Sequence, residues 1–171
     1  MKFVTKLSTT ILGLSLLAGL SAQAEVKRYP LPNNSTFPIA SAVEVTAGSS
    51  LVFQSGTTPA PANPDAKRGT PDYYGDTMTQ AKSVFERMGA NLEAQGLGFG
   101  DVIKMTVFLV GDPQNDGKMD FAGFMKAYTQ YFGTAEQPNL PARSAVQVAG
   151  LVAPLMFVEI EVIAVRPPAA F

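Results

Sequence analysis

Two glutamates near the end of the chain are the residues best placed to carry chemistry. Glu159 and Glu161 interrupt residues 157–165, a segment that is otherwise almost wholly apolar. Side chains two residues apart in a strand project from the same face, so both carboxylates are expected together. We expect a strand this apolar to be covered on both faces, where a carboxylate is costly unless it is paired or hydrogen-bonded.

Arg143 is the candidate partner for these carboxylates. It lies at the predicted start of another apolar strand, directly after Pro141 and Ala142. One interpretation is a buried arginine–glutamate ion pair that fixes the sheet. The other is that Arg143 holds a planar anionic ligand through two hydrogen bonds, with a carboxylate nearby that moves protons. The residues alone leave both interpretations open.

Several kinds of protein are excluded by composition. The 171 residues include no histidine and no cysteine, so a Ser-His-Asp triad, a cysteine nucleophile, a histidine zinc site and a disulfide are impossible. Thirteen basic residues stand against 14 acidic ones, whereas a nucleic-acid binder normally has a basic face. With 46% hydrophobic and 16% charged residues, the chain is predicted to be globular, with one domain.

The first 24 residues are predicted to be a secretory signal peptide. Lys2 and Lys6 form a short positive region, residues 11–20 are an apolar run, and residues 22–24 are an A-x-A cleavage motif. An N-terminal membrane anchor is the alternative, although the run is short for a bilayer. The domain of residues 25–171 is then expected in the periplasm or outside the cell, with no membrane attachment after cleavage.

The remaining hydrophobic patterns predict an α+β domain in which two helices pack on one face of a mixed sheet. Strands are predicted at residues 43–46, 51–55, 102–110, 144–149 and 157–165, and the first two are expected to form a hairpin. Residues 26–40 predict an irregular lead-in. Residues 57–75 contain four prolines and predict a long loop.

The two helices are predicted from apolar residues at helical spacing. The first begins near Thr77, where Thr77 and Gln80 match a capping box, and ends at Gly96. The second follows Asp120, its predicted N-cap. Its aromatic residues are interpreted as core rather than as a stacking surface; they are Phe121, Phe124, Tyr128, Tyr131 and Phe132.

Residues 112–123 resemble a calcium-binding EF-hand loop without its closing ligand. Acidic or amide residues occupy loop positions 1, 3, 5 and 9, and Gly117 occupies position 6. Position 12 is Gly123, where a glutamate should close the cage, and the preceding residues predict a strand instead of a helix. We therefore predict a strand-to-helix loop and no metal site.

Several motifs, in chain order, resemble the Rid family, the reactive intermediate deaminases of the YjgF type. They are Gln54-Ser55-Gly56, residues 100–109, residues 141–148 with Arg143, and residues 158–165 with Glu159. The resemblance extends from about residue 36 to residue 166. It implies a chorismate-mutase-like fold, a homotrimer with sites in clefts between subunits, and neither metal nor organic cofactor.

The resemblance also implies a reaction and a set of site residues. Family members hydrolyse enamines and imines, such as 2-iminobutanoate or 2-iminopropanoate, to 2-oxo acids and ammonia. Arg143 matches the arginine that grips the substrate carboxylate, and Glu159 the glutamate that positions water. Ser55 and Gly56 match pocket residues, and Ala145 stands where many members have a cysteine whose backbone amide lies near the ligand. Glu161 is interpreted as structural.

The residue types of the chain are compatible with that reaction. An imine carbon is already electrophilic, so its hydrolysis needs positioning, water and a proton carrier rather than a strong nucleophile. Two departures are expected to alter the substrate range: Ile39 replaces a common tyrosine or phenylalanine, and Met125 an asparagine. Besides an imine deaminase, three other functions remain open. They are a non-catalytic binder of small carboxylates, a chaperone-like interaction protein, and a ribonuclease, which the acidic chain without histidine disfavours.

Overall fold

Six strands build the molecule in the computed structural model, which describes residues 26–166. They are β1 (Val26–Tyr29), β2 (Ala42–Val45), β3 (Ser50–Thr57), β4 (Val102–Val110), β5 (Ala142–Val148) and β6 (Val158–Arg166). Four of them form a sheet in the order β3-β6-β4-β5. Strands β4 and β5 are parallel, and β6 is antiparallel to both β3 and β4, so the predicted mixed sheet is confirmed. The predicted signal peptide lies outside the described residues.

Two helices, α2 (Thr77–Ala94) and α3 (Phe121–Tyr128), cover one face of this sheet, and α1 (Pro71–Tyr74) is a single turn inside the predicted long loop. The predicted apolar stripe of α2 is buried, as its central residues Val84, Phe85 and Met88 are 0% exposed. They pack on alternate residues of β4, which are also fully buried. Burial of each large side chain contributes about 2 kcal/mol to folding, so the contact between α2 and β4 is the main part of the core.

The ends of the helices follow local hydrogen bonding. Asp76, and not Thr77, caps α2, and its carboxylate accepts a hydrogen bond of 2.8 Å from the Thr79 amide. The predicted capping box is wrong, because Thr77 is already helical and Gln80 turns into the core. The predicted cap of α3 is confirmed, since Asp120 accepts a hydrogen bond of 2.8 Å from the Gly123 amide.

The N-terminal part of the domain differs from the prediction. Strands β1 and β2 pair with each other, whereas β3 pairs with β6, so the predicted hairpin of β2 and β3 is wrong. Residues 26–29 are a strand instead of an irregular lead-in. Arg28 ties this ribbon to the sheet, because its guanidinium donates to the backbone carbonyls of Gly100, Val102 and Leu140 at 2.8–3.0 Å.

Among residues 26–166, no helix lies on the second face of the sheet. Side chains that would be core if covered are exposed there: Phe53 is 71% exposed, Leu51 47% and Val146 44%. The expectation that β6 is covered on both faces is therefore wrong for the described chain, because both helices lie on the same side. An exposed apolar surface of this kind is typical of an interface, and the homotrimer stays a prediction.

Candidate active site

Arg143 lies on β5, which is one edge of the sheet. It pairs with Met105 of β4, which pairs in turn with Val162 of β6, and both of these neighbours are buried under the helices. Paired residues project from the same face, so Arg143 points into the helix layer. Its guanidinium carbon lies over four aromatic rings, at 4.2 Å from the centroid of Tyr128, 5.2 Å from Phe124, 5.5 Å from Phe37 and 5.8 Å from Phe121.

The charge of Arg143 is not neutralised by any carboxylate in residues 26–166. The sole ion pair within that range joins Lys82 and Glu86, so the interpretation of Arg143 as half of a buried arginine–glutamate pair is wrong. Nη2 of Arg143 donates to the sulfur of Met125 at 3.3 Å, and the buried Nη1 has no acceptor. A guanidinium has five donor hydrogens, and here its carbon lies over aromatic rings while Nη1 has no acceptor.

Burial and the neighbouring polar group act in opposite directions on the pKa of Arg143 and on the pKa of Tyr128. Burial lowers the pKa of Arg143, and the neighbouring Tyr128 opposes that shift. Burial raises the pKa of Tyr128 to about 12, while the charge of Arg143 acts to lower it. The Tyr128 hydroxyl donates to the carbonyl of Pro38 at 2.8 Å, so the ring that lies under Arg143 is fixed.

Glu159 and Glu161 lie on the face without helices, and the prediction that they share a face is confirmed. Glu159 pairs with Phe108 and Glu161 with Thr106, both on the outer side of β4. Glu159 is half-buried and Glu161 exposed. Gly56 of the neighbouring strand lies against Glu159, since a β-carbon at Gly56 would overlap the carboxylate oxygen Oε1.

A bulge in β3 brings Ser55 and Gly56 to this place. Gln54 pairs with Val162 and Thr57 with Ile160, so two residues of β3 face one residue of β6. Such a bulge bends the strand and redirects its side chains. Ser55 consequently lines a depression of about 420 Å³ on the uncovered face, together with Phe53, Lys104, Thr106 and Glu161.

The predicted site residues therefore form two groups. Arg143 and Ala145 project into the helix layer from β5, and Ala145 packs against the core. Ser55 and Gly56 lie on β3, the opposite edge strand, and Glu159 lies on the neighbouring strand β6, on the other face of the sheet. Strands β6 and β5 are separated by β4, so about 10 Å of sheet lies between the two groups. One chain does not bring Arg143 and Glu159 together.

Sequence reasoning missed the aromatic cluster around Arg143. Phe124 and Tyr128 were interpreted as core, and they are core, but they also form the floor under the guanidinium. Phe37, 40% exposed, was not singled out at all. The available signal was an arginine in an apolar strand with an aromatic helix just before it. Met125, noted for replacing an asparagine, contacts the guanidinium directly.

Two aspartates of the EF-hand-like segment accept hydrogen bonds from nearby backbone amides. Asp112 accepts a hydrogen bond of 2.8 Å from the Gln114 amide, and Asp120 caps α3. Across residues 26–166 no group of three or more acidic side chains is arranged to hold a metal ion. Within the same range no helix is long and apolar enough to cross a membrane.

Comparison with known sequences identifies the family. The model of the Endoribonuclease L-PSP family matches residues 33–166. A 2-iminobutanoate/2-iminopropanoate deaminase of Salmonella typhimurium is 38% identical over 117 residues, which are 68% of this chain and 80% of the relative. A RutC family protein of Pyrococcus horikoshii is 33% identical over 141 residues, 82% of this chain and 99% of the relative. The chain belongs to this family, and the predicted Rid membership is confirmed.

Solved structures support the same assignment. The crystal structure of Escherichia coli TdcF with bound serine is 36% identical, with a TM-score of 0.52, and covers 84% of this chain and 97% of that one. A Rid-family protein of Yersinia pestis has a TM-score of 0.60 at 21% identity, covering 80% of this chain and 96% of that one, and so supports the fold alone. The predicted chorismate-mutase-like α+β fold is confirmed.

Proposed function

We propose that this protein hydrolyses 2-imino acids to 2-oxo acids and ammonia, with Arg143 as the carboxylate anchor and Glu159 as the proton carrier. The observation that carries this proposal is the unsatisfied guanidinium. Arg143 is half-buried, lacks an acidic partner in the described chain, and has a buried Nη1 with no acceptor. A planar carboxylate is the ligand that such a fork binds best.

The proposed reaction needs one carboxylate and one water molecule. Glu159 accepts a hydrogen bond from water and takes its proton as the water oxygen attacks the imine carbon. The proton then passes from Glu159 to the nitrogen of the resulting carbinolamine. As the carbon–nitrogen bond breaks, Glu159 takes the hydroxyl proton, the carbonyl forms, and ammonia and the 2-oxo acid are released. Positioning accounts for most of the acceleration, because a protonated imine is already electrophilic.

We propose that two copies of the chain complete each site. The group with Arg143 lies at the β5 edge and the group with Glu159 beside the β3 edge, on opposite faces. A head-to-tail arrangement that sets the β5 edge of one copy beside the β3 edge of the next unites them. Contacts of this heterologous type form a ring when the rotation between copies closes, and the proposed homotrimer is such a ring. The exposed Phe53 and Leu51 would then be buried in the ring.

The first test is imine hydrolysis by residues 25–171. An amino-acid oxidase generates 2-imino acids, and semicarbazide traps those that escape hydrolysis. We expect the wild-type protein to suppress trapping, and Arg143→Ala and Glu159→Gln to lose this effect. Gln130→Ala is the matched control, because this exposed side chain only bonds its own helix turn. Unsuppressed trapping by the wild-type protein across several amino acids would contradict the proposal.

A non-catalytic binder of small carboxylates is the second candidate. It is favoured by the bound serine in the TdcF structure and by the apolar Met125, whose sulfur contacts the anchor. Ligand-induced stabilisation without turnover would support it. Ribonuclease activity has less support, since the proposed site offers no histidine and the chain is slightly acidic.

We also propose that the protein is exported. Cleavage after Ala24 would leave the described domain intact, because β1 begins at Val26. Cell fractionation followed by mass measurement of the mature chain tests this. A periplasmic species that begins at Glu25 is expected, and a full-length cytoplasmic species would contradict the proposal.

A further inference from the structure

The side chain of Gln80 is fully buried and joins three backbone groups outside its own helix turn. Its Nε2 donates to the carbonyls of Gly75 and Leu155, each at 2.9 Å. Its Oε1 accepts a hydrogen bond of 2.6 Å from the Phe157 amide. Gln80 is 0% exposed, and its side-chain amide is satisfied entirely by these three hydrogen bonds.

One of these groups belongs to a strained residue. Leu155 has a φ of +63°, in the left-handed region that residues with a β-carbon adopt at a cost of roughly 1–2 kcal/mol. The conformation persists only where the surroundings impose it. Gln80 does so by holding the carbonyl of Leu155 and, two residues later, the amide of Phe157.

The fixed segment leads directly into the strand that carries Glu159. The carbonyl of Phe157 accepts a hydrogen bond of 2.9 Å from the Val110 amide, so both backbone polar groups of Phe157 are held. Strand β6 starts at the next residue, and Glu159 follows two residues after Phe157. Its carboxylate lies in the space that Gly56 leaves open. The position of Phe157 therefore sets where the Glu159 side chain begins.

We propose that Gln80 is a positioning residue that aligns Glu159 by holding residues 155–157 in their left-handed turn. This inference rests on the proposed function. Gln80 lies on α2, whereas the proposed site residues lie on strands, so its effect on catalysis would be indirect. Gln80 also holds the carbonyl of Gly75, the last residue of the long loop of residues 57–75. That loop begins directly after Gly56, so Gln80 connects its end to residues 155–157.

The test compares the kinetics of Gln80→Met with those of the wild type. Methionine has a similar volume and forms none of the three hydrogen bonds. We expect kcat per folded molecule to fall roughly tenfold to a hundredfold, the loss typical of a displaced catalytic group. KM should change less than about twofold, because Arg143 binds the substrate from another element. Gln80→Glu, which keeps an acceptor for the Phe157 amide, serves if Gln80→Met does not fold.

Two companion variants separate positioning from general destabilisation. Val84→Ala removes fully buried volume one turn along α2 without touching a hydrogen bond, so it should lower stability and leave kcat unchanged. Leu155→Gly adopts the left-handed conformation without strain. Combined with Gln80→Met, it should restore part of the lost kcat.

The outcomes separate this inference from the proposed function. An inactive wild-type protein overturns both. An active wild type together with an unchanged kcat in folded Gln80→Met, or with equal losses in Val84→Ala, overturns the inference alone. A lowered kcat that Leu155→Gly partly restores supports it.

Discussion

The side chain of Glu159 fills the space that Gly56 leaves by lacking a β-carbon. A β-carbon at position 56 would overlap Oε1 of the glutamate. The overlap involves only side-chain atoms of Glu159, Oε1 and Cδ with Cγ at 3.0 Å, so the backbone of β3 and β6 could stay in place while this flexible side chain moved. This relationship makes position 56 sensitive for activity and tolerant for folding.

We expect Gly56→Ala to lower kcat for imine hydrolysis by roughly a hundredfold, because it displaces the carboxylate that activates water. The free energy of unfolding should change by less than about 1 kcal/mol. Gly98→Ala is the matched control, since a β-carbon at Gly98 meets nothing within 4 Å. Urea unfolding and steady-state kinetics check the two parts. Full activity in Gly56→Ala would show that Glu159 has no role at this position.

Arg143 is a residue whose removal should cost activity but not stability. Its charge is half-buried and unpaired within the described chain, and desolvation of a charge disfavours folding. We expect Arg143→Met to leave the free energy of unfolding unchanged or raise it by up to about 1 kcal/mol, since methionine suits an aromatic pocket. Carboxylate binding should be lost in calorimetric titration. A clear loss of stability would instead favour a structural role.

The uncovered face should control assembly. We expect Phe53→Glu, at a side chain that is 71% exposed, to yield a smaller species in light scattering, because a charge would be buried in the proposed ring. Imine hydrolysis should fall with the loss of the assembly. Glu93→Gln on the exposed side of α2 is the control and should leave the mass unchanged. A fully active monomer would refute the shared site.

Asp76 should make stability depend on pH at the acid end. Hydrogen bonds from Thr79 hold the pKa of Asp76 below its usual value of 3.8. The stabilisation is therefore complete above about 3.8 and is lost as the pH falls through the lower folded-state pKa. Asp76→Ala should lower the free energy of unfolding by about 1 kcal/mol near neutral pH, and the difference should shrink in acid. A difference from the wild type that is constant with pH would contradict this.

Much of the fold follows from local patterns in the chain. Strand β4 matches its predicted bounds and Asp120 caps the start of α3 as predicted. Gly96, with a φ of +68°, directly follows the C-cap of α2, because periodicity and capping act over a few residues. Strand pairing is not local. The short loop after residue 46 predicts a hairpin of β2 and β3, yet β3 pairs with the interior strand β6 and β2 pairs with β1.

The site shows the same division. The apolar strand pattern already singled out Arg143 and Glu159, and the resemblance added Ser55, Gly56 and Ala145. The spacing of two correctly placed Glu159 and Glu161 on one face. The ion pair failed because a sequence does not show which face of the sheet each strand residue takes. Arg143 and Glu159 both belong to apolar strands, but the register sends them to opposite faces.

The most direct test of the account is subunit complementation. Arg143→Ala and Glu159→Gln are each expected to be inactive in imine hydrolysis. Mixed in denaturant and refolded together, they should regain about a quarter of the wild-type activity, because random mixing leaves that share of shared sites intact. No recovery in mixtures that refold as well as the wild type would contradict a site completed by two copies of the chain.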